Sequence, residues 1–300
     1  MKKLPASSII SVPMAIASNL LRAAESLPKY ANREFYKPEL QLHVYREIRN
    51  ACQDDFDELL LSMKTRIQDP PYSLLIRGLT FDSNYRLFVA LNRAFGLMVA
   101  RPYEENTPRA QLIHHVEPHT DKNTGGGVNS LHKLTEKLHT DCADRPVPVR
   151  FVSMQCVHPD ATGQGRSRVL DSIGFRAKMQ EAPLDRDMIS ALEGQAVPWQ
   201  IIDFLGGGVS WAPILKGDCI RWRRYTIDAA LKGRNIELPE YMIKILDHVD
   251  ALLIQNDHHV FDFLLASGDF LIMDNHRCLH SRSAINNSNT QRLMLRAWVE

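Results

Sequence analysis

His139-Thr140-Asp141 sets an imidazole and a carboxylate two residues apart. In extended backbone, residues i and i+2 project to the same face, so this pair can grip one ion from one side. Two histidines and one carboxylate on one face of an ion leave the opposite positions open, the arrangement used by non-haem iron(II) oxygenases. A His-x-Asp pair also arises by chance in surface loops, so a third ligand must come from elsewhere. Twelve histidines are available, several of them clustered: His114-His115, His119, His132, His258-His259, His276 and His280. Most histidines cap helices or sit half-buried. His280 differs in its setting, because it follows the β-rich run Phe270-Leu271-Ile272-Met273-Asp274-Asn275 and precedes Arg292 and Arg296.

Those two arginines are four residues apart on an expected terminal strand, and positions i and i+4 of a strand share a face. Two guanidinium groups on one face are costly in a core unless acids meet them. Arginine also binds carboxylates through two parallel hydrogen bonds. Leu293, Leu295 and Ala297 alternate with them, which argues for burial of the other face. The choice is between a carboxylate-binding pair and an exposed edge strand with both cations solvated; the alternation favours the first.

The surrounding elements follow from periodicity and breakers. Residues 39–66 carry apolar positions at Leu42, Tyr45, Ile48, Phe56, Leu59 and Leu60, the pattern of one or two helices. Tyr72 to Ile76 is a short apolar run before Gly78, expected as a strand. Asn84 to Val99 reads as mostly helical, Val149 to Val157 as a strand ending at His158-Pro159-Asp160, and 184–193 as a helix. Pro239 to Ile254 reads as an amphipathic helix with proline near its start. Val260 to Leu265, Phe270 to Met273 and Arg292 to Val299 read as strands. Gly206-Gly207-Gly208 has no helix-starting pattern after it, so a loop is expected rather than a phosphate cradle. Helices early and short strands late predict a mainly β fold with helices packed outside, of sandwich or jelly-roll type.

The C-terminal stretch Gly268-Asp269-Phe270-Leu271-Ile272-Met273-Asp274-Asn275-His276-Arg277-Cys278-Leu279-His280-Ser281-Arg282, followed by Arg292-Leu293-Met294-Leu295-Arg296, resembles the signature of the taurine dioxygenase and clavaminate synthase superfamily. Leu138-His139-Thr140-Asp141 looks like that family's first two ligands, and Gly165-Arg166-Ser167 lies where it has a Gly-x-Thr. Leu74 to Leu79, with Gln111 to Pro118, is similar to the branch holding clavaminate synthase and the asparagine and arginine β-hydroxylases. The resemblance covers roughly residues 70 to 300 and implies a double-stranded β-helix core, with iron(II) held by His139, Asp141 and His280 and with 2-oxoglutarate and O2 as co-substrates. It further implies that Arg292, assisted by Ser167, pairs with the distal carboxylate of 2-oxoglutarate. Arg296 would point toward an acidic group of the substrate or the co-substrate's other end. The nearest branch often carries glutamate where this chain has Asp141, which changes the expected placement of a substrate amino group. Because halogenases of the superfamily lack the carboxylate, hydroxylation or desaturation of a small polar metabolite, such as a free amino acid or a derived natural-product intermediate, is expected.

Two other classes compete. A zinc hydrolase could use the same ligands but leaves Arg292 and Arg296 unexplained, and a non-catalytic β-barrel binding protein predicts eroded ligands. The bulk properties are compatible with a small-molecule enzyme. A formal net charge of +1 provides no basic field for nucleic acid, and no apolar run is long enough to span a bilayer. Five scattered cysteines fit a reducing compartment, so a cytoplasmic location is expected. The stretch from Ile9 to Ala17 is short and interrupted by Pro13, and is expected as an ordinary helix retained in the mature protein rather than a signal. One catalytic domain over 1–300 is expected, with a helical part at 1–70 and the core at 71–300. An insertion at about 205–226, carrying Trp211, Lys216, Asp218, Arg221, Trp222, Arg223, Arg224 and Tyr225, reads either as an aromatic and cationic lid or as a solvated charged loop.

Overall fold

The computed structural model describes residues 2–100, 112–116, 137–181, 187–254, 258–285 and 291–300. The helices are α1 (Met14–Ser26), α2 (Pro38–Arg66), α3 (Arg86–Arg93), α4 (Ser172–Glu181), α5 (Asp187–Gly194), α6 (Arg224–Arg234) and α7 (Glu240–Ile254). The first strands are β1 (Ile9–Ser11), β2 (Ser73–Arg77), β3 (Met98–Val99), β4 (His114–Val116), β5 (Phe151–His158), β6 (Ser167–Asp171) and β7 (Val197–Gln200). They are followed by β8 (Val209–Ala212), β9 (Leu215–Lys216), β10 (Cys219–Ile220), β11 (Phe261–Phe263), β12 (Phe270–Asp274), β13 (Cys278–Arg282) and β14 (Leu293–Val299).

One sheet runs β1-β2-β12-β5-β14-β3, with β4 also on β14, and a smaller sheet runs β11-β6-β13. Strand alternation divides the large sheet into two faces. Leu74, Ile76, Phe270, Ile272, Leu295, Ala297 and Val299 join Leu20, Ile48, Phe56, Met63 and Phe88 in a core shared with α1, α2 and α3. The intervening Leu75, Leu271, Met273, Met294 and Trp298 pack with Val169, Phe261, Phe263 and Cys278 of the small sheet. The large sheet therefore lies between a helical layer and a second sheet. The helices α4 to α7 and the hairpins β7-β8 and β9-β10 build a third core around Trp199 and Trp222.

This is a mixed sheet-and-helix fold, in which the helices carry more of the described residues than the mainly β expectation allowed. The two sheets face each other but do not close into a barrel among the described residues. Helix α2 spans the expected 39–66 and breaks at Gln53, with φ 39° and ψ −117°. The helix expected over Asn84 to Val99 stops at Arg93. The reason lies at the other end of the chain: a Cβ on Gly96 would stand 1.9 Å from the Glu300 carbonyl oxygen. Leu97 and Glu300 exchange backbone hydrogen bonds of 2.9 Å in both directions, so the segment runs on as β3 beside β14. Ile9–Ser11, expected as helix, pairs in parallel with β2 before α1 begins. The late strands fall close to their expected positions. The triple glycine at 206–208 takes positive φ throughout and turns the chain into β8.

Candidate metal centre

His139 and His280 form an isolated antiparallel bridge, each backbone N–H donating to the other's carbonyl at 3.0 Å. Directly opposed residues of an antiparallel pair place their side chains on the same side, and the two imidazoles stand 4.6 Å apart between centroids. His280 lies on β13 and is itself paired with Val169 of β6, so the sheet holds His280 and, through the bridge, His139. Thr140 faces the opposite way, as the alternation requires. It is buried, and its hydroxyl accepts the Trp222 N–H at 3.0 Å while its own N–H donates to the Trp222 carbonyl at 2.8 Å.

Asp141 then returns to the histidine side. Its Oδ1 is 3.4 Å from His139 Nε2 and its Oδ2 is 3.6 Å from His280 Nε2. One ligand atom from each of the three residues falls within 4.8 Å of the others, and all three residues are buried. Asn275, fully buried after β12, clamps the Asp141 backbone: its Oδ1 accepts the Asp141 N–H at 2.9 Å, and its Nδ2 donates to the Asp141 carbonyl at 3.0 Å and the Val149 carbonyl at 2.8 Å. The following turn is held by Arg221, which is buried over the Trp199 ring and donates to the Ala143 and Arg145 carbonyls.

The protonation states of His139 and Asp141 suit metal ligation. Burial, and then the neighbouring Arg223, lower the His139 pKa to about 4, so its imidazole is neutral near pH 7. Burial alone would raise the Asp141 carboxyl, yet Arg296 and the surrounding hydrogen-bond donors hold it well below the ordinary carboxylate range. Neutral imidazole and ionised carboxylate are the forms that ligate metals. His139 Nδ1 lies 2.8 Å from the Lys137 carbonyl, which directs its proton there and leaves Nε2 to face Asp141. Three further donors converge on the same carboxylate: Trp298 Nε1 at 2.9 Å, Arg296 Nη1 at 3.4 Å and Arg223 Nη1 at 3.5 Å.

A cavity opens beside the two histidines, lined by Val116, Met154, Ser167, Ser281, Arg282, Arg292 and Arg296 as well as His139 and His280. All six residues singled out from the sequence meet here, Asp141 through its contacts with both histidines and Arg296. Arg292 is buried, and burial, with Arg282 nearby, pulls its pKa down to about 10. Gly165 gives it passage: φ is +68°, and a Cβ there would lie 2.9 Å from Arg292 Nε. No carboxylate lines this cavity among the described residues, and the Ser281 hydroxyl is buried with no hydrogen-bond partner among them.

Sequence reasoning missed several of these parts. Arg282 was legible, since it stands two residues from His280 on one strand and must share its face. Asn275 appeared only as part of a resemblance, with no role. Arg223, Arg221 and Trp222 were grouped in one segment, but the structure separates them from their neighbours. Residues 216–219 are exposed, whereas Arg221 and Trp222 are interior. Of the segment expected to mark the branch, Leu112 to Val116 is described, and Gln111 and 117–118 lie outside the described residues, as do His119 and His132.

Residues 233–298 match the family model for taurine catabolism dioxygenase TauD, TfdA family. That match takes in His280, Arg292 and Arg296, while His139 and Asp141 lie upstream of it. No curated protein matches this sequence. Among solved structures, asparagine oxygenase in complex with Fe(II), 2S,3S-3-hydroxyasparagine and succinate superposes with a TM-score of 0.76 at 16% identity, over 97% of this chain and 93% of that one. The non-heme iron oxygenase OrfP in complex with Fe and alpha-ketoglutaric acid superposes with a TM-score of 0.70 at 16% identity, over 97% and 93%. The chain thus shares the fold of these two oxygenases over nearly its whole length, and its residues 233–298 match the TauD, TfdA family model.

Proposed function

We propose that this protein is an iron(II) and 2-oxoglutarate-dependent oxygenase that hydroxylates a small polar metabolite of the free amino acid class, with release of succinate and CO2. The observation that carries this reading is the cavity beside the three potential ligands, which Arg282, Arg292 and Arg296 all line. Three guanidinium groups next to a potential metal centre suit an anionic co-substrate, and a dicarboxylate can reach both the metal and an arginine. A hydrolytic zinc centre needs no such cluster.

The donor set fits iron(II): two imidazoles and one ionised carboxylate converge on one point. Bound there, the metal supplies the activation of O2 that the protein's own side chains cannot perform. The chain's residues do the rest. Arg292 orients the distal carboxylate of 2-oxoglutarate, with the Ser167 hydroxyl beside it, and Arg296 faces an acidic group of the substrate. Asp141 keeps the position that a halide would need, which favours hydroxylation or desaturation. In this reading 1–300 is one catalytic unit with a jelly-roll core. Among the described residues none of the five cysteines forms a disulfide, in keeping with the cytoplasm. No described helix is long and apolar enough to cross a membrane.

The support from neighbours is that asparagine oxygenase and OrfP were solved with hydroxylated asparagine and arginine. The test is succinate release by the iron-loaded protein with 2-oxoglutarate and a panel of free amino acids and acidic metabolites. A substrate whose oxidation matches succinate one for one is expected. Absence of iron binding together with absence of succinate release across the panel would overturn the assignment.

A further inference from the structure

A second cluster of potential ligands lies away from the cavity, where α4 ends against the turn that opens β11. His259 Nε2 is 2.9 Å from Glu181 Oε2, and His258 Nε2 is 3.4 Å from Glu181 Oε1. One ligand atom from each of the three falls within 4.8 Å of the others. Tetrahedral zinc with bonds of about 2.0–2.1 Å places its ligand atoms roughly 3.3 Å apart along each edge. The observed separations bracket that edge, and they resemble those within the first centre.

The local backbone explains why two consecutive histidines can act together. In extended chain their rings would point to opposite faces. Here both lie in a turn, their rings are 4.0 Å apart between centroids, and both direct Nε2 at one carboxylate. The turn is anchored on each side. The Lys2 N–H donates to the Val260 carbonyl at 3.0 Å, and β11 begins one residue later. Gly174 of α4 admits the His259 carbonyl oxygen to 3.5 Å from where a Cβ would stand. His259 is buried, whereas Glu181 and His258 are exposed, so an ion would have two exposed ligands, one buried ligand and a side open to water.

The two rings are tilted by 40° to each other, both Nε2 atoms reach the same carboxylate, and a divalent ion among the three groups would take one ligand atom from each.

We propose that Glu181, His258 and His259 form a second metal site, taking a zinc-like divalent cation through two imidazoles and one carboxylate and completed by water. The site is independent of the oxygenase reading. The ion ties the end of α4 to the entry of β11, which pairs with β6, the strand that carries Ser167. Its role is that of a clip between helix and sheet.

The test uses the full chain, stripped with chelator and dialysed against buffered zinc, with bound metal counted per chain. Two ions are expected in the wild type and one in His280→Ala, which spares the clip. One is also expected in Glu181→Gln and in His258→Ala, both at exposed positions that do not threaten folding. Each clip variant should lose more than about tenfold in affinity for the second ion and lose the rise in Tm that this ion provides. Wild type and both clip variants binding equal amounts of zinc would overturn the proposal and reduce the cluster to an ion pair. Failure of the first centre would appear separately, as zinc binding unchanged by His280→Ala.

Discussion

Asp141 accepts more directed contacts than a lone carboxylate needs. Trp298, Arg296 and Arg223 approach it alongside the two histidines, while Asn275 fixes its backbone from below. Removing Asn275 unties two otherwise distant loops, so Asn275→Ala should lower iron affinity by about 10–100-fold while leaving all three ligands present. Equilibrium dialysis would check this, and an unchanged affinity would remove Asn275 from the site's support. The arginines divide differently. Arg292→Ala leaves a carboxylate unpaired in a desolvated cavity, a loss of roughly 3–5 kcal/mol, and should raise the KM for 2-oxoglutarate by about a hundredfold or more. Arg292→Lys should recover only part of this, because an ammonium cannot make a two-pronged contact. Arg296→Ala should weaken the primary substrate and release succinate without matching product. Equal effects of both alanine variants on the 2-oxoglutarate KM alone would show that the division is wrong.

Among the elements, α3 shows what a sequence can and cannot disclose. Its start is fixed by Asp82, which is buried, accepts the Arg86 N–H at 2.6 Å and pairs with the Arg86 guanidinium at 3.1 Å. That guanidinium also reaches the Leu27 carbonyl just past α1. Asp82→Asn should cost about 3–5 kcal/mol in urea unfolding, since it strands a buried cation. Burial pushes the Asp82 carboxyl up, but the hydrogen bonds from the Arg86 side chain and from the Asn84 and Arg86 N–H groups, with the Arg86 charge, together outweigh this, and its folded pKa lies below the ordinary value. Its contribution is therefore complete above the unfolded pKa of about 3.9 and is lost as pH falls through the folded value. The stability gap between wild type and variant should narrow below about pH 4, and a gap that widens there would contradict the pairing. The aspartate was visible in the sequence, but nothing local says that α1 would supply the second acceptor. The late strands β11, β12 and β14 were legible because apolar runs and breakers are local signals. The end of α3 was not, because Gly96 answers to Glu300 across the whole chain. Likewise the closeness of His139 and Asp141 was legible from their spacing, whereas His280 was singled out by its setting between a β-rich run and two arginines. Arg223 was not, because only tertiary packing brings it to Asp141.

For the molecule as a whole, the large sheet is the common wall of two compartments, and close backbone approaches hold it in place. Gly268 precedes β12 with φ +85°, and a Cβ there would stand 1.8 Å from the Leu79 carbonyl oxygen. Gly268→Ala should cost about 3 kcal/mol or more in stability; an unchanged unfolding midpoint would show that the loop can yield. The wall is most informative along β14. Leu295, Ala297 and Val299 serve the helical core, while Met294, Arg296 and Trp298 face the ligands and the small sheet. Two selective pressures are thus interleaved at single-residue resolution. In a saturation scan that scores abundance and turnover separately, tolerance along 294–299 should oscillate with a period of two. Odd positions would fail by depleting the protein, and Arg296 by silencing protein that still accumulates. A drifting homologue of this chain can therefore change its chemistry along this strand without renegotiating its architecture.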